Sequence, residues 1–221
     1  VASLAAQGGL ADVSSVLNTV EERYDEAPPD GARISYQGND VTVPLYVNPR
    51  LHWYREDVHD ARPETWDDML DWASNADDPQ GVRGHYEPTG NGLCEVWDIL
   101  GMIHNNGGSI TARDGDKIVS AMADGSNRDS WIELLEYLNN LHEFSPTASD
   151  SDCNSMANAI ASGTSASANY IGTRPKNNSV QRERDFAADI RANLPLEKEN
   201  RRSSGVPEGL ITFQDANVEA A

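Results

Sequence analysis

Apolar residues recur at helical spacing through Leu4, Leu10, Val13, Val16, Leu17 and Val20, with Gly8-Gly9 as a break. Residues 1–24 are therefore expected to form one or two short helices. The pattern then changes. Asp25 to Gly38, with Pro28, Pro29 and Asp30-Gly31, reads as a loop, and the β-branched run Val41 to Asn48 as a strand. A second strand-like segment, Leu51 to Tyr54, follows Pro49. Alternation along it is expected to turn one of Trp53 and Tyr54 to the core and the other outward. Beyond an acidic turn, Pro63 to Ala76 reads as a helix. Thr65 stands at its start, Asp67 and Asp68 suit the positive end of its dipole, and Met69, Leu70 and Trp72 begin its apolar face.

Asp77 to Gly81 makes a turn into a strand from Val82 to Tyr86. Gly90-Asn91-Gly92 then breaks the chain before a helix from about Cys94 to Asn105. Gly107-Gly108 and Asp114-Gly115-Asp116 frame a turn and a short hairpin. Asn127 to Phe144 is a strongly amphipathic helix built on Trp131, Leu134, Leu135, Leu138 and Leu141. Ser151 to Ser162 is another helix, ended by Gly163, and Ser167 to Ile171 a strand entering Gly172-Thr173. Gln181 to Ala192 is expected to be a short charged helix. Trp66, Trp72 and Trp131 lie on apolar helix faces and read as core.

At 221 residues the chain has the length of one large domain or two small ones. Its formal net charge of -19 comes from 36 acidic and 17 basic residues, and only Lys117, Lys176 and Lys198 are lysines. Such a charge repels nucleic acid and anionic lipid. The acids are dispersed rather than gathered in a tail, the pattern expected of a halophilic protein, where salt screens self-repulsion. No apolar run approaches the roughly 18 to 20 residues that cross a bilayer. Val1 opens directly into an amphipathic pattern rather than into a signal peptide. Cys94 and Cys153 permit one disulfide without demanding it, and their spacing matches no zinc site. The five histidines show no HExxH spacing, and no GxSxG elbow or phosphate-binding glycine loop occurs. Neither catalysis nor a cofactor or metal is expected.

Three phrases in fixed order, VPLYVN, WYREDV and PETWDDML, run from Val43 to Leu70. They resemble the extracellular solute-binding proteins of ABC importers, in the sugar-binding group that includes maltose-binding protein. The likeness extends through LAAQGGLADVSSVL upstream, IHNNGGSITARDGDK and MANAIASGTSASANYIGT downstream, Leu194-Pro195-Leu196, and a return strand within Gly205 to Asp215. The resemblance implies an α/β fold of the type II periplasmic-binding-protein kind: a second lobe with a mixed sheet flanked by helices, and an incomplete first lobe. Residues 1–47 would be a partial first-lobe segment with the first crossover, 48–193 the second lobe, and 194–221 the return crossover with a further partial first-lobe segment. Family members are longer, so the chain is expected to be a fragment.

The function implied is capture of a sugar or oligosaccharide in an interlobe cleft outside the cell, and delivery to ABC permease subunits from a membrane-anchored longer form. Asn91, Glu95 and Trp97 stand where family members contact the sugar, and Asn48 matches a contacting position after the first crossover. Tyr170 to Arg174 aligns with a segment whose aromatic often stacks on the ligand; here Arg174 takes that place, so stacking would use a guanidinium plane or be absent. The same resemblance puts Cys94 and Cys153 at helix beginnings on the cleft side, where a disulfide is possible. It also leaves apolar end segments, Val1 to Val20 and Gly209 to Phe213, expected to self-associate. The alternatives are a binder of another solute such as glycerol phosphate, with Arg174 meeting the anion, and a glycoside-active enzyme with two converging carboxylates.

Overall fold

A computed structural model describes residues 1–24, 32–87, 93–115, 117–146, 153–200 and 205–214, without the side chains of Ala2, Tyr46, Val47, Leu93, Cys94, Cys153, Ile171 and 205–208. In chain order it contains α1 (Ala2–Ala6), α2 (Ser14–Tyr24), β1 (Ser35–Tyr36), β2 (Asn39–Asp40), β3 (Val43–Arg55), α3 (Trp66–Ala76) and α4 (Leu93–Asn105). There follow β4 (Thr111–Asp114), β5 (Lys117–Ser120), α5 (Gly125–His142), α6 (Cys153–Ser162), β6 (Ser167–Ile171) and α7 (Arg174–Gln181). A 3-10 turn (Asp185–Asp189), β7 (Ile190–Asn193) and β8 (Gly205–Leu210) complete it. The chain divides into two compact units, Val1–Asn48 with Gly205–Ala221, and Pro49–Ser204.

In the first unit, Gly8 takes a positive φ of 69° and ends α1, as the Gly8-Gly9 break predicts. Ala5, Leu10 and Val41 form a small core with Ile34, Tyr36 and Ile211 against it. Leu10 bridges Phe213, and β8 pairs with β3. Arg33 bonds Glu21 at 2.8 Å and Asp40 at 2.5 Å, tying α2 to the β1–β2 hairpin.

The second unit is organised on β3. This strand is continuous from Val43 to Arg55, so the two segments expected on either side of Pro49 are one element. β6 pairs with it on one side and β7 on the other, both antiparallel, with Trp53 opposite Ala168 and Ala192. Parallel bridges join Arg83 to Ser165 and Tyr86 to Ala168, so the Val82 to Tyr86 strand is reduced to two bridges. Tyr54 packs with Trp66, Trp72, Ile103, Trp131 and Leu134, on the side of α3, α4 and α5. Trp53 packs with Tyr86, Met156, Ile160, Tyr170 and Ile190, on the side of α6. Both aromatics are therefore buried, and the expectation that one faces outward is corrected. A strand covered by helices on both faces has no outward side.

Thr65 caps α3 as its position predicts: its hydroxyl accepts from the Asp68 N–H at 3.1 Å, and Asp68 accepts from the Thr65 N–H at 3.0 Å. The charged helix expected over Gln181 to Ala192 is absent, and the difference has a local cause. Pro175 enters the first turn of a helix that starts earlier, at Arg174, and Glu183 stops the turn after α7 with a φ of 53°. Ile190, almost wholly buried, is then drawn into β7 beside β3. Packing against an available sheet edge decided that segment; its charges carried no helical period.

Candidate functional site

On β3, Arg50, His52 and Tyr54 project to the α4 side, as alternation requires, while Leu51 and Trp53 project to the other. His52 lies between two groups. Its Nδ1 meets Asn169 Oδ1 at 3.2 Å, and its ring stacks on His85 with centroids 6.1 Å apart. His85 Nδ1 lies 2.8 Å from Ser167 Oγ, whose hydroxyl donates to the Gly84 carbonyl at 2.9 Å. With that hydroxyl proton engaged, Ser167 accepts, so His85 carries its proton on Nδ1 and presents a lone pair at Nε2. Glu87 Oε2 stands 3.2 Å from that nitrogen.

The cluster is buried, and burial sets its protonation. Burial lowers both histidines to about 3, with the neighbouring His85 adding to the effect on His52. Glu87 is pushed up to about 8, first by burial, against the pull of Arg50 and with Glu95 adding repulsion. A protonated Glu87 donates to neutral His85 in this arrangement. Asp98, on α4, is pushed up to about 7 by burial, against the opposing effect of Arg50 and with Glu87 and Glu95 adding repulsion. Arg50 Nε donates to Asp98 Oδ1, and the two side chains are 5% and 3% exposed. Asp98 Oδ2 has no hydrogen-bond partner among the described residues. It lines a cavity of about 30 Å³ with Arg50, Trp66, Asn105, Asn169 and Leu196, room for one or two waters.

The first two turns of α4 bear two of the expected site residues. Glu95 and Trp97 are both half-buried, and burial raises the Glu95 carboxyl. Two positions apart on a helix they do not face each other, so each offers its own surface, one a hydrogen-bond acceptor and the other a flat apolar face. Asn48 is half-buried and belongs to the first unit. Tyr170 does not share that turn: it is 3% exposed and part of the core around Trp53. Arg174 is exposed at the start of α7 and donates to Asn154 Oδ1 at 2.7 Å. Asn91 and the side chains of Cys94 and Cys153 lie outside the described residues. Among the described residues, no group of three or more His, Cys, Asp or Glu could hold a metal ion, and no helix is long and apolar enough to cross a membrane.

Sequence reasoning did not single out Arg50, His52, His85, Glu87 or Asp98. A signal was present in the alternation. Arg50 and His52 alternate with Leu51 and Trp53, and His85 and Glu87 flank Tyr86, each pair two apart in a strand-like run.

Comparison with known proteins bears on this arrangement. A solute-binding protein of Thermotoga lettingae TMO, solved with α-D-tagatose, superposes with a TM-score of 0.80 at 19% identity, covering 98% of this chain and 57% of that one. One from Agrobacterium radiobacter K84, in complex with ribitol, gives 0.78 at 18% identity, covering 98% and 57%. UgpB of Mycobacterium tuberculosis, in complex with glycerophosphocholine, gives 0.70 at 17% identity, covering 98% and 54%. At these identities the likeness is one of fold, and the chain spans 57% of the length of the first two structures. The sequence profile described as bacterial extracellular solute-binding protein matches residues 1–211. Matched over nearly its whole length, the chain belongs to the bacterial extracellular solute-binding proteins.

Proposed function

We propose that the second unit forms one wall of a site for a neutral polyhydroxylated solute, a sugar or polyol, in the binding component of an ABC importer. The observation that carries this reading is that Glu95 and Trp97, in the first two turns of α4, are both only half-buried. An indole covers the apolar face of a sugar ring, and a carboxylate accepts from its hydroxyls. Asn91, Asn48 and Arg174 are further contacts in this proposal. Tyr170 would act only through packing behind them. Delivery to permease subunits and anchoring of a longer form at the membrane are part of the same reading. They are supported by membership of the family.

An anionic solute, such as a glycerol phosphate, is favoured by exposed Arg174 and by the ligand of the mycobacterial structure. The charge near α4 weighs against it. Glu95 adds repulsion to Glu87 and Asp98, Glu87 adds to Asp98, and the Arg50 guanidinium is already bonded to Asp98.

Calorimetric titration with D-tagatose, ribitol, maltose and glycerophosphocholine tests the reading. At least one neutral solute should bind, and Trp97→Ala should weaken it by about 1 to 3 kcal/mol. Equal affinities of wild type and variant, or binding of glycerophosphocholine alone, would overturn it.

A further inference from the structure

Of the described side chains from Glu95 to Asp98, only Asp98 is buried; Val96 is 51% exposed, and Glu95 and Trp97 are half-buried. The buried apolar anchors of α4, Met102 and Ile103, come in its later turns, and half-buried Ile99, next to Asp98, packs against the same core. Asp98, Gly101, Met102 and Asn105 share one face of the helix at spacings of three and four. That face does not close on the sheet. It borders the cavity, with Arg50 and Leu51 of β3 and Asn169 of β6 on the other side. Across this gap the bond from Arg50 to Asp98 is a direct tie between the second turn of α4 and β3.

We propose that the buried Arg50–Asp98 pair is a positioning device for solute binding. It holds the first two turns of α4, and with them Glu95 and Trp97, at a set height above β3. The proposal rests on the reading of Glu95 and Trp97 as solute contacts. Its physical basis is directional. An apolar contact tolerates sliding, whereas a guanidinium N–H and a carboxylate oxygen bond at a defined distance and angle. Small displacements of a contact residue lower affinity because the contacts must be re-formed at the expense of the solute. Removing one partner also leaves the other charged in a buried site, which drives the turn outward toward solvent.

Hydrogen exchange of the chain, read by peptide, measures the tie without any solute. Asp98→Asn should raise exchange across residues 93–100 about tenfold and leave residues 130–142 of α5 unchanged. Arg50→Lys, which keeps the charge but not the planar fork, should do the same to a smaller extent. In parallel, affinity for ribitol and maltose should fall in the order wild type, Arg50→Lys, Asp98→Asn. Unchanged exchange in residues 93–100 in both variants would overturn the proposal. Faster exchange spread equally over α5 would also overturn it, since that marks general destabilisation. If Asp98→Asn does not fold, Arg50→Lys decides by the same reading. Wild-type protein that binds neither ribitol nor maltose would count against the solute reading, and the exchange pattern would still decide whether the pair holds the turn.

Discussion

Glu87 and His85 share a hydrogen bond in a buried site, and this has a consequence for stability against pH. The two histidines have folded values of about 3 against an ordinary 6.5, so the unfolded chain binds more protons between those limits. Their contribution is present above pH 6.5 and is lost as pH falls through 3. Glu87, at about 8 against 4.5, and Asp98, at about 7 against 3.8, act in the opposite sense. Their contribution is complete below the ordinary carboxylate range and is lost as pH rises through the folded values. The slopes oppose each other in mildly acid solution, and above neutrality only the carboxyl loss remains. Melting temperature at constant high salt should therefore fall between about pH 6 and about pH 8.5. Glu87→Gln, whose amide N–H replaces the acid proton at His85 Nε2, should fall less over that interval. Parallel curves for variant and wild type would show that Glu87 does not titrate there.

At the scale of elements, the 83–87 segment that brings His85 and Glu87 to β3 depends on its contact with α3. A Cβ on Gly84 would lie 2.1 Å from the Ala73 carbonyl oxygen and 2.8 Å from its carbon. Both are helix backbone and have little freedom to move. Gly84→Ala should therefore push the segment off α3 and destabilise the protein by roughly 1 to 3 kcal/mol, the range for overpacking. The midpoint of guanidinium unfolding would move to lower denaturant, and an unchanged midpoint would contradict the packing. β3 itself shows how one element serves two cores. Its even-numbered residues from Arg50 to Tyr54 meet α4, and Leu51 and Trp53 meet the cluster containing α6 residues.

For the molecule as a whole, a net charge of -19 on 221 residues opposes compaction. Among the described residues, close ion pairs join Arg50 to Asp98 and, at 2.5 to 2.8 Å, Arg33 to Glu21 and Asp40, Arg55 to Asp57, Arg83 to Asp77, Arg191 to Glu56 and Lys198 to Glu133. With 36 acidic residues against 17 basic, an excess of 19 acids has no cation to balance it. We propose that the chain is adapted to high salt. The remaining repulsion is long-range and screened over about 3 Å at molar salt but about 30 Å at 0.01 M. Thermal unfolding followed by circular dichroism should shift to lower temperature as salt is reduced from molar to millimolar. A melting temperature independent of salt over that range would contradict the proposal.

Local chemistry determined what was legible in advance. The break at Gly8, the capping of α3 by Thr65, the amphipathic run of α5 and the strand Ser167 to Ile171 depend on neighbours in sequence, and each can be read from residues three or four apart. The order of the phrases from Val43 to Leu70 pointed to the family for the same reason: it is a property of the chain, not of its packing. Tertiary structure decided the rest. Whether Trp53 faces water depends on a helix that follows more than ninety residues later. Whether Ile190 is helix or strand depends on a free edge of β3. The polar cluster is the clearest case. Arg50 and Asp98 are 48 positions apart, and His85 and Ser167 are 82 apart. No local pattern marks such pairs, because their meaning comes from the burial that brings them together and removes the water that would otherwise make each an ordinary surface charge.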